Sequence, residues 1–395
     1  MSASLETKAM DKMEVLEKIA ALDIPEAGLC GGKLADRLKE CAQTGADTGV
    51  AAALNNADTD YVLLEVLKND PEKVLEGISI AAQALGTDDK ILYVPESETE
   101  LAKSLEELAA KYGVEVKAEF LDVRANGQKL LMHIVTAADL ADGFRGNYTP
   151  GVYVSVNGGP VTRVACGTKI AELADLSGAR ALILGYQVYQ PETAAELTVE
   201  ESGIANGVVK VLTAHDCVVN ETEKRVMASR KQSCGKCVFC REGLIQLQYM
   251  QKEITEGRGK AEYVELTREI GESMCFSTPC TMGQTSAKIA LTAMEGFAGE
   301  YEAHIKKKRC PSAVCTKLVN IYVSPKRCAG CGACVDACPH GCIEGQPGYI
   351  HMIDDYDCTK CGACVNACPN SAIILTTGRV PRVPFRMTKV GRFRG

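Results

Sequence analysis

Two copies of one cysteine-rich unit near the carboxyl terminus constrain this chain more than any other feature. The segments KRCAGCGACVDACPHGCI and YDCTKCGACVNACPNSAI repeat so that Cys328 matches Cys358. Each copy has the spacing C-x2-C-x2-C-x3-C-P, which binds [4Fe–4S] clusters, with the fourth cysteine of one copy serving the other cluster. Zinc ligands or a chance repeat are the alternatives, and two intact copies argue against both. The predicted ligand sets are Cys328, Cys331, Cys334 and Cys368 for one cluster, and Cys358, Cys361, Cys364 and Cys338 for the other.

A third group of cysteines lies upstream, in SCGKCVFCREG. Cys234, Cys237 and Cys240 again have C-x2-C-x2-C spacing, at the start of a predicted helix. A cubane cluster needs a fourth thiolate. Cys275 and Cys280, in MCFSTPCTMGQTS, are both candidates on position alone.

This motif resembles the flavoprotein subunit of respiratory complex I that takes electrons from NADH. It is still more similar to the equivalent subunit of electron-bifurcating hydrogenases and NAD-dependent formate dehydrogenases. In that family the fourth ligand precedes a x-x-Gly-x-x-Ala/Ser segment, which matches Cys280 followed by Gly283 and Ser286. The resemblance implies a third [4Fe–4S] cluster on Cys234, Cys237, Cys240 and Cys280, and it leaves Cys275 as a packing cysteine.

The resemblance extends beyond the cluster motifs. NADTD with the helix that follows is similar to the family's segment after its flavin-binding strand, and VSVNGGPVTRVACGTKIAEL resembles its β-grasp domain. The appended two-cluster domain is typical of the hydrogenase and formate dehydrogenase branch. The resemblance to this family extends over residues 50 to 375.

The order of segments predicts an α/β protein of several domains. Between residues 50 and 120, strand-like runs (VAAAL, ILYVP, VEVKAEFL) alternate with two helical patterns, which indicates a parallel sheet. A turn at Asn157-Gly158-Gly159 and a helix capped by Thr168 indicate a β-grasp module. The predicted domains are N-terminal helices at 1–48, a Rossmann-like flavoprotein-type domain at 49–148, a β-grasp module at 149–216, a helical bundle with one cluster at 217–309, a ferredoxin-like two-cluster domain at 310–376 and a basic tail at 377–395.

The motifs that bind FMN and NADH in the family are degenerate here. The family's Arg-Gly-Gly-Ala-Gly-Phe-Pro loop corresponds to AGLCGGKLADRL, and its Asn-Ala-Asp-Glu motif ends in Thr59 instead of glutamate. We therefore expect the nucleotide site to be lost and the fold to remain as a scaffold for the clusters. The alternative is a remodelled FMN site, with Gly28, Gly31 and Gly32 as the phosphate loop and Asn56 and Asp58 at the ring system.

Four further residues form a candidate zinc site. Three of them lie close together in AHIKKKRCPSAVC, and the fourth precedes the upstream cluster motif. Local Cys and His spacing with one remote ligand is typical of a tetrahedral structural zinc, and unligated thiols in a reducing compartment are the alternative. The four are Cys217, His304, Cys310 and Cys315.

The remaining cysteines and two histidines receive no functional role. We expect the cysteines to be small buried hydrophobic residues and the histidines to be core or surface residues. They are Cys30, Cys41, Cys166 and Cys342, with His133 and His215. The tail after residue 377 has six basic residues and no acidic one, which predicts either a solvated end or an arm that binds a partner subunit or an acidic face.

Charge and hydropathy argue against a nucleic-acid-binding protein and against a membrane or secreted protein. The 44 Lys and Arg against 51 Asp and Glu give a net charge of −7, which argues against a nucleic-acid-binding protein. The sequence has neither an apolar run of membrane-span length nor a secretory signal. Since clustered thiols persist in a reducing compartment, we expect a cytoplasmic protein.

These features favour an iron–sulfur electron-transfer subunit of a multi-subunit oxidoreductase, without a hydride-transfer site of its own. The expected partners are flavoprotein, hydrogenase or formate dehydrogenase subunits, with ferredoxin as a further carrier. One alternative is a flavin-containing NAD(P)H dehydrogenase subunit with a remodelled nucleotide site. Another is a regulatory or scaffold protein that senses redox state through its clusters.

Overall fold

The computed structural model describes residues 10–28, 32–43, 49–377 and 379–394. The chain divides into two compact units, each made of several segments. The first lies within 1–213, 224–248 and 267–296, and the second within 214–223, 249–266 and 297–395. Cys30, expected to be a buried hydrophobic residue, and Gly31, a member of the alternative phosphate loop, lie outside the described residues.

A four-stranded parallel sheet organises the first unit, in the order β3-β2-β1-β4. Its strands are β1 (Val50–Ala53), β2 (Lys90–Val94), β3 (Glu115–Ala118) and β4 (Leu130–His133). The helices of this part are α1 (Lys12–Leu22), α2 (Leu34–Gln43), α3 (Leu64–Asn69), α4 (Pro71–Leu85), α5 (Thr99–Tyr112) and α6 (Ile134–Phe144). The three strands and two helices predicted between residues 50 and 120 are present, and β4 is an addition to them.

Strand β1 is buried on both faces of the sheet. Val50 and Ala52 enter one hydrophobic core with the helices, whereas Ala51 and Ala53 enter a smaller core on the opposite face. Such two-sided burial is typical of parallel sheets covered by helices. The small side chains of β1 also allow α4 and α6 to pack closely over the sheet.

A five-stranded mixed sheet follows, in the order β6-β5-β9-β7-β8. Its strands are β5 (Gly151–Val156), β6 (Thr162–Ala165), β7 (Ala181–Leu184), β8 (Gln187–Tyr189) and β9 (Val208–Leu212), with α7 (Ile170–Leu173) and α8 (Pro191–Glu196) between them. Asn157 and Gly158 turn the β5–β6 hairpin in the left-handed conformation, as predicted. The predicted Thr168 cap is wrong, because Lys169 occupies the N-cap of α7 and the Thr168 hydroxyl donates to the Ala165 carbonyl at 2.7 Å.

Six helices connect this sheet to the carboxyl-terminal part. They are α9 (Val218–Gln232), α10 (Val238–Thr255), α11 (Glu262–Ser277), α12 (Thr281–Thr285), α13 (Lys288–Gly296) and α14 (Ala298–Ile305). Across the residues that the structure describes, no helix is long and apolar enough to cross a membrane.

The cysteine repeat folds in the second unit around three two-stranded antiparallel pairs. The pairs are β10 (Asn320–Val323) with β14 (Ile373–Thr376), β11 (Ile343–Glu344) with β13 (Met352–Ile353), and β12 (Tyr349–Ile350) with β15 (Thr388–Lys389). Each copy of the repeat has a short helix, α15 (Ala333–Asp336) or α16 (Ala363–Ala367). Cysteines and aliphatic residues from both copies form one hydrophobic cluster in this part of the chain.

Part of the basic tail packs on its own unit, and most of its described residues are exposed. Its strand β15 pairs with β12, and the Val390 N–H donates to the Gly348 carbonyl at 3.0 Å. Phe393 packs against the hydrophobic cluster of the cysteine repeat. That the tail binds a partner subunit or an acidic face stays a prediction.

The cysteines expected to be small buried residues differ in their exposure. Cys342 is buried, Cys41 is half-buried and Cys166 is exposed. The expectation for Cys166 is therefore wrong. Cys166 follows the last residue of β6, an edge strand of the five-stranded sheet, so no layer covers it.

Candidate iron–sulfur and metal centres

The upstream cysteine group lies in the first unit, where α10 and α12 begin. Cys240 is buried in the first turn of α10, and Cys280 occupies the N-cap of α12. Burial is the main cause that raises the pKa of the Cys240 thiol to about 11, and Cys280, Cys234 and Cys237 act on it in the same direction. The structure thus brings together the four residues predicted as ligands.

Cys280 is surrounded by groups that stabilise a thiolate. Burial raises the pKa of its thiol, but the backbone N–H groups of Gly283 and Met282 and the side chain of Asn56 lower it. These donors come from the first turn of α12 and from the loop after β1, and hydrogen bonds from backbone N–H groups are typical of cluster sulfurs. The Gly283 of the x-x-Gly-x-x-Ser segment is thus a direct neighbour of the thiol.

Cys275 has different neighbours. It lies on α11 and is half-buried. Burial raises the pKa of its thiol, Lys288 lowers it and Glu272 raises it. The charged neighbours of Cys275 are thus side chains other than cysteine, which favours Cys280 as the fourth ligand.

The carboxyl-terminal cysteines group as the repeat predicts. Burial is the main cause that raises the pKa of Cys334 to about 11, and its cysteine neighbours are Cys328, Cys368 and Cys331. Burial also raises the pKa of Cys364, whose cysteine neighbours are Cys358, Cys338 and Cys361. In each group the fourth cysteine comes from the other copy of the repeat.

The loops that carry these cysteines share an unusual backbone. Gly332 and Gly362 are left-handed at equivalent positions, with φ of 87° and 80°. Two residues before each of them, Gly330 and Lys360 are also left-handed. A lysine in this conformation is strained, and its N–H donates to the Cys358 Sγ at 3.4 Å. The loop conformation is therefore kept in both copies even where glycine is absent.

The four residues predicted as zinc ligands form a compact buried cluster in the second unit. One ligand atom from each of them lies within 4.8 Å of all the others. The Cys217 Sγ is 3.4 Å from the His304 Nε2 and 3.7 Å from the Cys315 Sγ, and the Cys315 Sγ is 3.5 Å from the same nitrogen. Cys310 is fully buried beside them.

These separations match a tetrahedral zinc centre. With Zn–S near 2.3 Å and Zn–N near 2.05 Å, a tetrahedron requires about 3.8 Å between two sulfurs and about 3.6 Å between sulfur and nitrogen. The His304 Nδ1 lies 2.8 Å from the Glu300 carbonyl oxygen, to which it donates, so Nε2 faces the thiols. Although burial lowers the pKa of His304, Cys217 and Cys310 raise it to about 10. The thiols thus stabilise a positive charge on the imidazole.

An open cleft lies at the carboxyl ends of β1, β2 and β3, where ligands bind in open α/β sheets. Its volume is about 480 Å³, and Asn56, Tyr61, Phe120 and the cluster cysteine Cys234 are part of its lining. The charged side chains of the lining are Glu96, Glu119 and Lys231. The cleft is therefore adjacent to the upstream cysteine group and carries more negative than positive charge.

The family resemblance implies FMN at this edge of the sheet. Asn56, assigned to the ring system, lines the cleft, whereas Asp58 and Gly28 do not fit their assigned roles. Asp58 is buried, accepts a hydrogen bond from the Tyr186 hydroxyl and lies 3.7 Å from the His133 Nε2, so it does not line the cleft. A Cβ at Gly28 would lie 2.6 Å from the Asn55 Oδ1 and 2.7 Å from the His133 Cδ2. Protein side chains thus fill the space beside Gly28 that a phosphate would need.

Two neighbours of the carboxyl-terminal cysteines were not predicted from the sequence. The Cys342 Sγ lies 3.4 Å from the Cys338 Sγ, and the buried His351 has its Nδ1 4.0 Å from the Cys328 Sγ. A comparison of the two copies of the repeat could have found Cys342, because its counterpart is Ala372. His351 lies outside both repeated segments and carries no such signal.

Comparison with known proteins identifies both cysteine-rich regions. Residues 222–304 match the NADH-ubiquinone oxidoreductase-F iron-sulfur binding region, and residues 327–372 match the 4Fe-4S dicluster domain. HndC, a subunit of the NADP-reducing hydrogenase of Solidesulfovibrio fructosivorans, is 36% identical over 145 residues, which are 37% of this chain and 30% of HndC. A subunit of the NADH-quinone oxidoreductase of Rhizobium meliloti is 30% identical over 29% of this chain and 27% of its own length.

A solved structure extends the likeness in fold. A chain of an NAD+-reducing [NiFe]-hydrogenase in the H2-reduced state aligns with a TM-score of 0.64 and 15% identity, over 75% of this chain and 63% of the other. Among the curated relatives, this chain matches about a third or less of their own length. The solved structure is 15% identical, so that match shows the fold alone. The predicted resemblance is confirmed: the chain carries an NADH-ubiquinone oxidoreductase-F iron-sulfur binding region followed by a 4Fe-4S dicluster domain, and it is homologous to part of HndC and to part of an NADH-quinone oxidoreductase.

Proposed function

We propose that this chain is an electron-transfer subunit of a multi-subunit oxidoreductase, relaying electrons through three [4Fe–4S] clusters. The observation that carries the proposal is the grouping of twelve cysteines into three sets of four, within regions that match two iron–sulfur families. A bound cluster accepts and donates one electron at a time. Each of the three sets of four cysteines described above would supply the ligands of one cluster.

We infer that these sites lie on a scaffold of flavoprotein type. We assign the four-stranded parallel sheet to a Rossmann-like domain and the five-stranded mixed sheet to a β-grasp module. Helices α9 to α14 correspond to the helical bundle, with the boundaries predicted from the sequence. The likeness in fold to a hydrogenase chain supports this assignment.

The cluster of Cys217, His304, Cys310 and Cys315 would hold a structural zinc ion. Three thiolates and one imidazole are a common ligand set for structural zinc, and all four coordination positions are filled by protein. The site would join the start of α9, helix α14 and the loop before β10. Its role is therefore structural.

Hydride transfer would belong to a partner subunit. The cleft beside Cys234 is lined by Glu96 and Glu119 against a single cation, Lys231, and Asp58 is engaged within the protein. Electrons would then pass between a catalytic partner, of flavoprotein, hydrogenase or formate dehydrogenase type, and a carrier such as ferredoxin. We place the protein in the cytoplasm, because a reducing compartment keeps clustered thiols available as metal ligands.

Elemental analysis of the anaerobically purified chain tests this proposal. We expect about twelve iron and twelve sulfide, since each cubane contains four of each, together with about one zinc and no flavin. Near-stoichiometric flavin would instead support the NAD(P)H dehydrogenase alternative. Iron and sulfide near four or eight per chain would refute the three-cluster relay.

A further inference from the structure

The two copies of the cysteine repeat differ beside one predicted ligand. Cys342 follows Cys338 by four residues, whereas the residue four after Cys368 is Ala372. The backbone behaves alike in both copies: the Ala372 N–H donates to the Cys368 Sγ at 3.3 Å, and the Cys342 N–H bonds to the Cys338 thiol. The thiol of Cys342 is therefore an addition to one copy only.

The Cys342 thiol lies among the predicted ligands of a single cluster. Its Sγ is 3.4 Å from the Cys338 Sγ, and Cys358 is a further sulfur neighbour. Only 6% of its surface is exposed. The small cavity that it lines is also lined by Cys338, Cys358, Cys361 and Cys364. Both sulfurs that it contacts thus belong to the same predicted set.

We propose that Cys342 donates its S–H hydrogen to the sulfur of Cys338 and thereby raises the reduction potential of this cluster. Reduction adds one negative charge to a cluster, and hydrogen bonds to its sulfurs stabilise that charge. The second cluster receives the equivalent backbone hydrogen bond but lacks the thiol. This inference rests on the proposed function, because it takes the cluster and its four ligands as given.

A difference in reduction potential between the two clusters sets the direction in which electrons move within the two-cluster domain. Four cysteines already complete the ligand set, so Cys342 acts as a positioning residue through Cys338. The cluster beside Cys342 would hold an electron longer than it would without the thiol. Without the thiol, the two copies would differ much less in the hydrogen bonds to their fourth ligands.

Redox titration of the full-length protein, followed by electron paramagnetic resonance, tests the inference. Cys342→Ala gives the first copy the residue that the second copy has at the equivalent position, Ala372, and keeps the backbone N–H. We expect one cluster potential to fall, with the ratio of reduced to oxidised cluster at a fixed potential reduced by on the order of tenfold, or about 59 mV. The other two potentials should stay unchanged, and Cys342→Ser, which keeps a donor, should shift less.

The converse variant is Ala372→Cys, which adds the thiol to the second copy and should raise the potential of the other cluster. Iron and sulfide analysis accompanies each titration. If Cys342→Ala leaves all potentials unchanged, the thiol is not a donor. If it removes about four iron, Cys342 is a ligand and the proposal is wrong. A wild-type protein without clusters on the repeat would instead refute the proposed function.

Discussion

At the residue scale, Cys280 and Cys275 lie five positions apart and have different surroundings. The Cys280 thiol is adjacent to the other cysteines of the upstream group and to donors in the first turn of α12, whereas Cys275 has Lys288 and Glu272 as neighbours. A cubane that loses one of four thiolates is usually unstable. We therefore expect Cys280→Ala to remove about a third of the iron and sulfide, measured on anaerobically purified protein.

Cys275→Ala is the matched control for this substitution. Both variants remove one partly buried thiol from the same region, so a general loss of folding would affect them alike. We expect Cys275→Ala to keep the wild-type iron and sulfide content. The reverse result would mean that Cys275 is the fourth ligand and that the match to the x-x-Gly-x-x-Ser segment is accidental.

Residue roles could be predicted where the chemistry sets the spacing along the chain. The C-x2-C-x2-C run supplies three of the four thiolates of a cubane from one tight loop, so the ligand groups could be predicted from the sequence. The orientation of Asp58 does not, because it depends on Tyr186, which is 128 residues away in the sequence. Cys342 contacts a residue only four positions away, yet spacing alone gives its thiol no role.

At the element scale, the strands of the parallel sheet were predictable except for β4. Three strands are separated from their helices by turns or loops, which the sequence signals with Pro and Gly. Strand β4 instead ends at His133, and α6 begins at the next residue. The His133 Nδ1 caps that helix by accepting a hydrogen bond from the Val135 N–H at 3.1 Å. Because no loop separates the strand from the helix, LLMHIVTAADL is one mostly apolar run, and no turn residue marks where the strand ends.

The packing of α4 on α6 depends on Gly77. A Cβ at this position would lie 1.8 Å from the carbonyl oxygen of Ala137, so the two helices must separate to admit a side chain. Overpacking of this kind costs about 1–3 kcal/mol. We expect Gly77→Ala to lower the free energy of unfolding by about that amount, measured by denaturant titration under anaerobic conditions.

Gly299→Ala is the control, because Gly299 lies within α14 with no heavy atom near the position of a Cβ. Alanine is the better helix former there, so we expect a gain of up to about 1 kcal/mol. Equal stability of the two variants would show that α4 and α6 are not in close contact.

At the scale of the whole molecule, the cluster of Cys217 and three later residues connects segments far apart in the sequence. Cys217 precedes α9 and contacts His304, which is 87 residues later, and Cys315, which is 98 residues later. A structural zinc ion contributes its binding free energy to folding. All four ligands were predicted from the sequence, three from their local spacing and Cys217 as the remote fourth, and the structure brings them together.

Replacing Cys310 and Cys315 together by alanine should therefore release zinc and lower the midpoint of thermal unfolding, while sulfide stays at the wild-type level. Zinc and sulfide are measured on the same sample, and differential scanning calorimetry gives the midpoint. Cys166→Ala removes an exposed thiol outside the site and should change neither quantity. A loss of sulfide in the double variant would mean that these residues hold a fourth iron–sulfur cluster. Unchanged zinc would mean that the metal binds elsewhere, and the tetrahedral spacing of the four ligands would then have another cause.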